Sequence, residues 1–111
     1  MKQYVVGDVL LVAFPFTSGG AKRRPALVLA DTGDNDVLVA RITSSQVQTQ
    51  YDTLLQDWQS AGLLSPSVVR ADKLATLEKT LIERRLGSLT HDDISSVAVA
   101  LRTVLTDWMQ P

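Results

Sequence analysis

The chain has 111 residues, of which 45% are hydrophobic and 21% charged, and its formal net charge is −1. This composition is typical of one globular domain with a single core and argues against intrinsic disorder. With this net charge the protein as a whole is not a polycation, so a nucleic acid would have to bind a local basic patch. The lack of cysteine excludes disulfides, cysteine zinc sites and thiol catalysis, and the single histidine excludes a multi-histidine metal site.

The first residues, Met-Lys-Gln-Tyr, do not resemble a signal peptide. No apolar run reaches the ~18 residues that a membrane helix requires. We therefore expect residues 1–111 to form one cytoplasmic domain without a membrane partner. The chain also has no Walker loop, no nucleophile elbow and no carboxylate cluster with metal-binding spacing, so neither a cofactor nor a metal is expected.

Two apolar runs rich in Val, Leu and Phe, residues 8–14 and 26–30, predict buried strands. The segment between them, residues 15–20, is rich in Gly, Pro and Ser and predicts a loop. A turn-rich connection follows, and residues 37–43 then predict a third strand. Residues 26–43 are therefore expected to form a hairpin or meander.

A triple cation lies where the second apolar run begins, at Lys22, Arg23 and Arg24. Pro25 biases Arg24 towards an extended conformation, which places these side chains at the rim of a sheet. A solubilising loop is the simpler interpretation of such a charge run. The neighbouring glycines favour a site, because they allow the backbone to approach an anionic ligand closely.

Downstream, short strands are expected around residues 53–55, 67–71 and 73–77, with a helical turn ended by glycine over residues 57–62. Residues 81–86 fit either a short helix or a connection.

The last element is an amphipathic helix that begins after Thr90, a good N-cap with Asp93 three residues on. Five or six short strands followed by one helix predict a mainly β (α+β) fold. We expect a small, strongly curved sheet or barrel with the helix packed against it.

Alternation along the third strand puts Arg41 and Thr43 on one face. If the second and third strands pair, Arg24 and Thr43 meet at one end of the sheet. A guanidinium and a hydroxyl there would suit phosphate oxygens. A surface arginine and a threonine chosen for β-propensity remain the alternative.

A second candidate is Arg70 with Asp72, which alternation also places on one face, about 7 Å apart. A structural ion pair is the commoner outcome for such residues. An acid and a base acting on a phosphodiester is the alternative.

Taken in order, several segments resemble the MazF/PemK family of toxin–antitoxin toxins. These segments are Gly7-Asp8-Val9, Arg23–Leu29, Ala40–Ser44, Val68–Lys73 and Arg85–Leu89, and the similarity continues into the final helix. The resemblance implies an SH3-like β-barrel of the PemK/CcdB type with a C-terminal helix, assembled as a homodimer. It also implies a metal-independent endoribonuclease that cuts single-stranded mRNA at short sequences, and an antitoxin whose acidic, disordered tail blocks the RNA groove.

The resemblance implies four catalytic residues, which are Arg24, Thr43, Arg70 and Asp72. The expected RNA-contacting residues are Lys22, Arg23, Arg41, Thr17, Ser18 and Ser44. Some family members carry a histidine or glutamate in the first loop, whereas this chain has neither there. If the scheme of the PemK-like branch applies, the resemblance implies Asp72 as the base.

Two alternatives stay open. A noncatalytic toxin like those of the CcdB type would act on a protein such as DNA gyrase through its C-terminal helix, where Trp108 and Met109 lie. A degenerate member would bind only RNA or its antitoxin.

Overall fold

In a computed structural model, which describes residues 3–15 and 21–110, strands and one C-terminal helix follow one another along the chain. The strands are β1 (Asp8–Pro15), β2 (Ala21–Ala30), β3 (Asp36–Thr43), β4 (Asp52–Leu54), β5 (Val68–Glu78) and β6 (Ile82–Ser88). The helix is α1 (His91–Met109), and a short 3-10 turn, Lys79–Leu81, precedes β6.

The six described strands form one antiparallel sheet in the order β4-β5-β3-β2-β1-β6. The expected strands at residues 8–14 and 37–43 are confirmed. Strand β2 begins earlier than expected, at Ala21, and pairs with β1 along the triple cation, so that Arg24 lies opposite Val12. The cations therefore belong to a strand and not to a loop.

The sheet is not closed into a barrel, so that expectation is wrong. Within the described residues, the edge strands β4 and β6 do not pair with each other. Strand β4 has only three residues and pairs with β5, while β6 pairs with β1. Closure requires hydrogen bonds between the two edges, and the apolar pattern of the sequence does not specify them.

Both faces of the sheet are buried, which explains the nearly continuous apolar runs. Neighbouring residues such as Val9 and Leu10, both fully buried, contribute to different cores. One core lies beneath α1 and includes Val97. The other lies on the opposite face, where Leu81 and Ile82 pack at its margin.

Of three expectations for the middle of the chain, the turn ended by glycine is confirmed and the other two are wrong. The Gly62 amide donates to the Gln59 carbonyl at 3.0 Å and the Leu63 amide to the Trp58 carbonyl at 3.2 Å, so a single turn ends at this glycine, whose φ is positive. The two strands expected at residues 67–71 and 73–77 are one strand, β5, interrupted by an irregularity. Residues 82–88 form β6, because hydrogen bonds to the edge of β1 outweigh their weak local preference for a helix.

The expected N-cap of the helix is confirmed, since the Thr90 hydroxyl accepts a hydrogen bond from the Asp93 amide at 3.2 Å. The Asp93 side chain is itself buried, and it accepts hydrogen bonds from the amides of Gln56 (2.9 Å) and Asp57 (3.0 Å). The start of α1 is thereby tied to the turn after β4. No helix among the described residues combines the length and apolar character that a membrane span requires.

Candidate nucleic-acid interface

Pairing of β2 with β3 brings two arginines together at one end of the sheet. Ala26 lies opposite Arg41, as the predicted hairpin requires. Arg24 and Arg41 both line a cavity of about 360 Å³, whose apolar part is formed by Phe14 and Val39. The expected pairing of these two strands is confirmed.

A bulge in β5 adds a carboxylate and an amine to the same cavity. Ala40 lies opposite Leu74, but the next residue, Arg41, lies opposite Arg70, so residues 71–73 are extra on β5. Such bulges re-aim side chains and are common beside functional sites. Asp72 and Lys73, both within the bulge, line the cavity.

A neighbouring cavity of about 350 Å³ shares Arg41, Asp72 and Lys73 with the first. Thr43 and Arg70 also line it. We call the two joined cavities the arginine groove. It contains all four residues expected to be catalytic, and its side chains used below are Arg24, Arg41, Thr43, Arg70, Asp72 and Lys73.

The expected ion pair between Arg70 and Asp72 does not form. Arg70 Nη1 instead donates to Asp52 Oδ2 at 2.6 Å, and both side chains are well buried. The bulge breaks the strict alternation on which the expectation depended. Asp72 keeps a 31% exposed side chain whose carboxylate lies 4.0 Å from Lys73 Nζ.

The two arginines of the first cavity differ from most cations of the described chain in their pairing. Arg23 is bound to Glu83, Lys79 to Asp31, and Arg85 to Asp8. Arg24 Nε, by contrast, is buried without a hydrogen-bond partner among the described residues.

No hydrogen bond or ion pair within the described part of the chain involves the exposed Arg41. Guanidinium groups without protein partners are free to bind an anion. Their planar, forked donors match phosphate oxygens.

The remaining expected RNA contacts are more dispersed. Lys22 and Arg23 are exposed on β2, and Arg23 is held by Glu83. Ser44 is exposed just beyond β3. The Thr43 hydroxyl donates to Ser45 Oγ at 3.2 Å. Thr17 and Ser18 lie outside the described residues.

Two charged residues that line the groove were missed in the sequence. Lys73 enters it only because of the bulge. Asp52 lies opposite Arg70 on β4, and the expected strand at residues 53–55 was the one available signal. In the described part of the chain, no three His, Asp or Glu side chains are grouped to hold a metal ion.

The model of one protein family matches residues 6–105, and its description is "PemK-like, MazF-like toxin of type II toxin-antitoxin system". The chain belongs to this family of toxins. A search of curated proteins found no match. The arginine groove thus lies within the matched region of a PemK/MazF-type toxin.

Solved structures show the same toxin fold. A mycobacterial endoribonuclease in complex with its cognate antitoxin has 20% sequence identity and a TM-score of 0.77, over 93% of this chain and 95% of that chain. The Mycobacterium tuberculosis toxin MazF-mt6 has 22% identity and a TM-score of 0.75, over 89% and 96%. A chain of a MazE-MazF crystal structure from Deinococcus radiodurans has 22% identity and a TM-score of 0.75, over 95% and 96%.

Proposed function

We propose that this toxin is a metal-independent, sequence-selective endoribonuclease that cleaves single-stranded mRNA in the cytoplasm through attack by the 2′-hydroxyl. The observation that carries the proposal is the pairing state of Arg24, whose Nε is buried and unpartnered at the edge of a groove that also holds Arg41. Burying a guanidinium donor without a partner is costly, and a bound phosphate would satisfy it. The structural similarity to proteins named endoribonucleases also supports the proposal.

In the proposed mechanism, Arg24 and Arg41 bind the scissile phosphate. The attacking 2′-oxygen forms a bond to phosphorus, and the bond to the 5′-oxygen of the next nucleotide breaks. Two negative charges then develop on the non-bridging oxygens, and preorganised guanidinium groups stabilise them. The products are a 2′,3′-cyclic phosphate and a 5′-hydroxyl.

Asp72 is the proposed base that accepts the proton of the 2′-hydroxyl. Its carboxylate is partly exposed in the groove, and its ion-pair contact with Lys73, at 4.0 Å, is loose. Arg41 donates a hydrogen bond to the leaving oxygen, which takes its proton from water. Thr43 orients the attacking hydroxyl. Arg70, whose guanidinium is held in place by Asp52, contributes further donors to the phosphate.

We further propose that the toxin is a homodimer with an RNA groove at its interface, and that an antitoxin blocks this groove with an acidic, disordered tail. The unpaired cations would attract an acidic peptide as they attract RNA. Support comes from the toxin–antitoxin complexes among the similar structures.

The deciding experiment incubates purified protein with a single-stranded RNA in excess EDTA and maps the products. We expect cleavage with cyclic-phosphate ends, and no cleavage when the scissile nucleotide is 2′-deoxy. Arg24→Ala should lower the rate by at least about 10²–10³, the usual loss for one transition-state donor, with little change in thermal midpoint. Arg102→Ala is the matched control, because Arg102 is exposed on α1 and outside the groove.

A strict metal requirement would refute the mechanism, as would full activity in Arg24→Ala. Asp72→Asn should also be nearly inactive if Asp72 is the base. A monomer in sedimentation at micromolar concentration would refute the shared groove.

A noncatalytic toxin that acts on a protein such as DNA gyrase is the second candidate. The end of α1 favours it, because Trp108 and Met109 are 84% and 70% exposed. Expression in cells separates the two candidates: RNA fragments indicate the nuclease, and DNA breaks without RNA cleavage indicate the gyrase poison. A degenerate member would bind RNA or antitoxin and produce neither.

A further inference from the structure

A third cavity, of about 410 Å³, adjoins the arginine groove and has no part in the mechanism above. We call it the side cavity. It shares Arg24 and Thr43 with the groove, so it adjoins the proposed site of the scissile phosphate. Its volume falls within the range of small-molecule sites, roughly 300–1,000 Å³.

The floor of the side cavity is an apolar row across neighbouring strands. Leu11 on β1 lies opposite both Pro25 on β2 and Arg84 on β6, and paired residues point to the same face of a sheet. Ile42 and Leu63, which belong to the core beneath α1, complete the floor. An apolar surface of this kind can pack against the face of a nucleobase.

One wall of the side cavity is built by the close approach of a turn to β6. A Cβ added at Gly87 would lie 2.7 Å from the carbonyl carbon of Ala61. Gly62 has a positive φ of 81°, and a Cβ added there would meet the backbone carbonyl of Leu86 at an even shorter distance. The turn thus holds Ser65 at the cavity, where its hydroxyl can donate to and accept from a base edge.

The mouth of the side cavity carries a cation that the fold does not use. Arg84 is exposed and has no hydrogen bond or ion pair among the described residues. Its two neighbours in β6 are both engaged, Glu83 with Arg23 and Arg85 with Asp8. Arg84 thus differs from both neighbours in having no protein partner within the described part of the chain.

We propose that the side cavity binds one nucleotide of the substrate RNA next to the scissile phosphate, with its base on the Leu11 floor and Arg84 on its flanking phosphate. The inference rests on the proposed function. Proteins read single-stranded RNA by splaying bases into such pockets, where stacking and edge hydrogen bonds select them. The shared Arg24 and the positively charged mouth favour RNA over a protein segment as the occupant.

The test measures binding of a non-cleavable RNA, 2′-deoxy at the scissile nucleotide, by fluorescence anisotropy. Ser65→Phe should obstruct the cavity from an exposed position and weaken binding roughly 5-fold or more, the lower end of the range for loss of one base–aromatic contact, since the floor here is aliphatic. Arg84→Ala should weaken binding and reduce the salt dependence by about 0.7 in slope, the value for one single-strand phosphate. Arg102→Ala should bind like the wild type.

Sequencing of the cleavage sites gives a second readout. Both variants should relax the preference at one position beside the cut, with wild-type thermal midpoints. Unchanged RNA binding and unchanged cleavage sequences in both variants would overturn the inference. So would loss of self-association or antitoxin binding without loss of RNA affinity, since the cavity would then be a protein interface. If the wild type neither binds nor cleaves RNA, the proposed function itself fails.

Discussion

Arg70 Nη1 donates to Asp52 Oδ2 at 2.6 Å in an ion pair whose side chains are 11% and 0% exposed. The same Asp52 oxygen accepts from the amides of Gln48 (2.8 Å) and Thr49 (3.3 Å). One carboxylate therefore joins β4, β5 and the loop after β3, all of which border the arginine groove. The pair organises the wall of the groove.

Removal of one partner of this buried pair should be costly. Asp52→Ala leaves the Arg70 charge buried and three donors without an acceptor, so we expect a loss of about 3–5 kcal/mol in the free energy of unfolding. Glu83→Gln, which removes the exposed pair with Arg23, should cost at most about 1 kcal/mol. Chemical denaturation measures both, and equal losses would show that burial does not distinguish the two pairs.

A second buried carboxylate predicts acid sensitivity. Asp31 Oδ1 lies 2.8 Å from Lys79 Nζ, and the amides of Gln3, Tyr4 and Gly33 also donate to this carboxylate. The Lys79 ammonium, followed by these amides, holds the pKa of Asp31 well below its usual range despite the opposing effect of burial. A carboxyl whose pKa is lower in the folded state stabilises the fold above its unfolded pKa, about 4, and this contribution is lost as pH falls below that value.

Asp31→Asn should therefore flatten the fall in unfolding free energy between about pH 5 and pH 2. The matched control is Asp92→Asn, at an exposed carboxylate in the first turn of α1, and it should leave the slope nearly as in the wild type. Urea denaturation across this pH range gives the slopes. An unchanged slope in Asp31→Asn would contradict the assignment.

The contact between Gly87 and the turn at Ala61 predicts a steric effect. Gly87→Ala would place a methyl group 2.7 Å from backbone atoms that cannot move freely, so we expect a loss of about 1–3 kcal/mol. Ser96→Ala on the exposed side of α1 should change stability by less than about 0.5 kcal/mol. Thermal unfolding compares them, and a neutral Gly87→Ala would mean that the turn can shift away from β6.

The local pattern of the sequence was enough for the strands at residues 8–14 and 37–43, the N-cap Thr90 and the pairing of the second and third strands. Each of these depends on interactions a few residues apart or on one hairpin register. Family resemblance supplied the toxin class, which the family match confirms. Roles for individual residues stay predictions.

Tertiary structure alone decided the open sheet, the strand at residues 82–88 and the partner of Arg70. The sheet edges, the pairing of β6 with β1 and the three-residue bulge before Leu74 all arise from hydrogen bonds between distant segments. Apolar periodicity specifies which faces are buried, but it does not specify register across strands. Because the bulge inserts residues into β5, side chains there no longer alternate strictly between the two faces. Asp72 therefore lines the groove, and Arg70 forms its ion pair with Asp52 on β4.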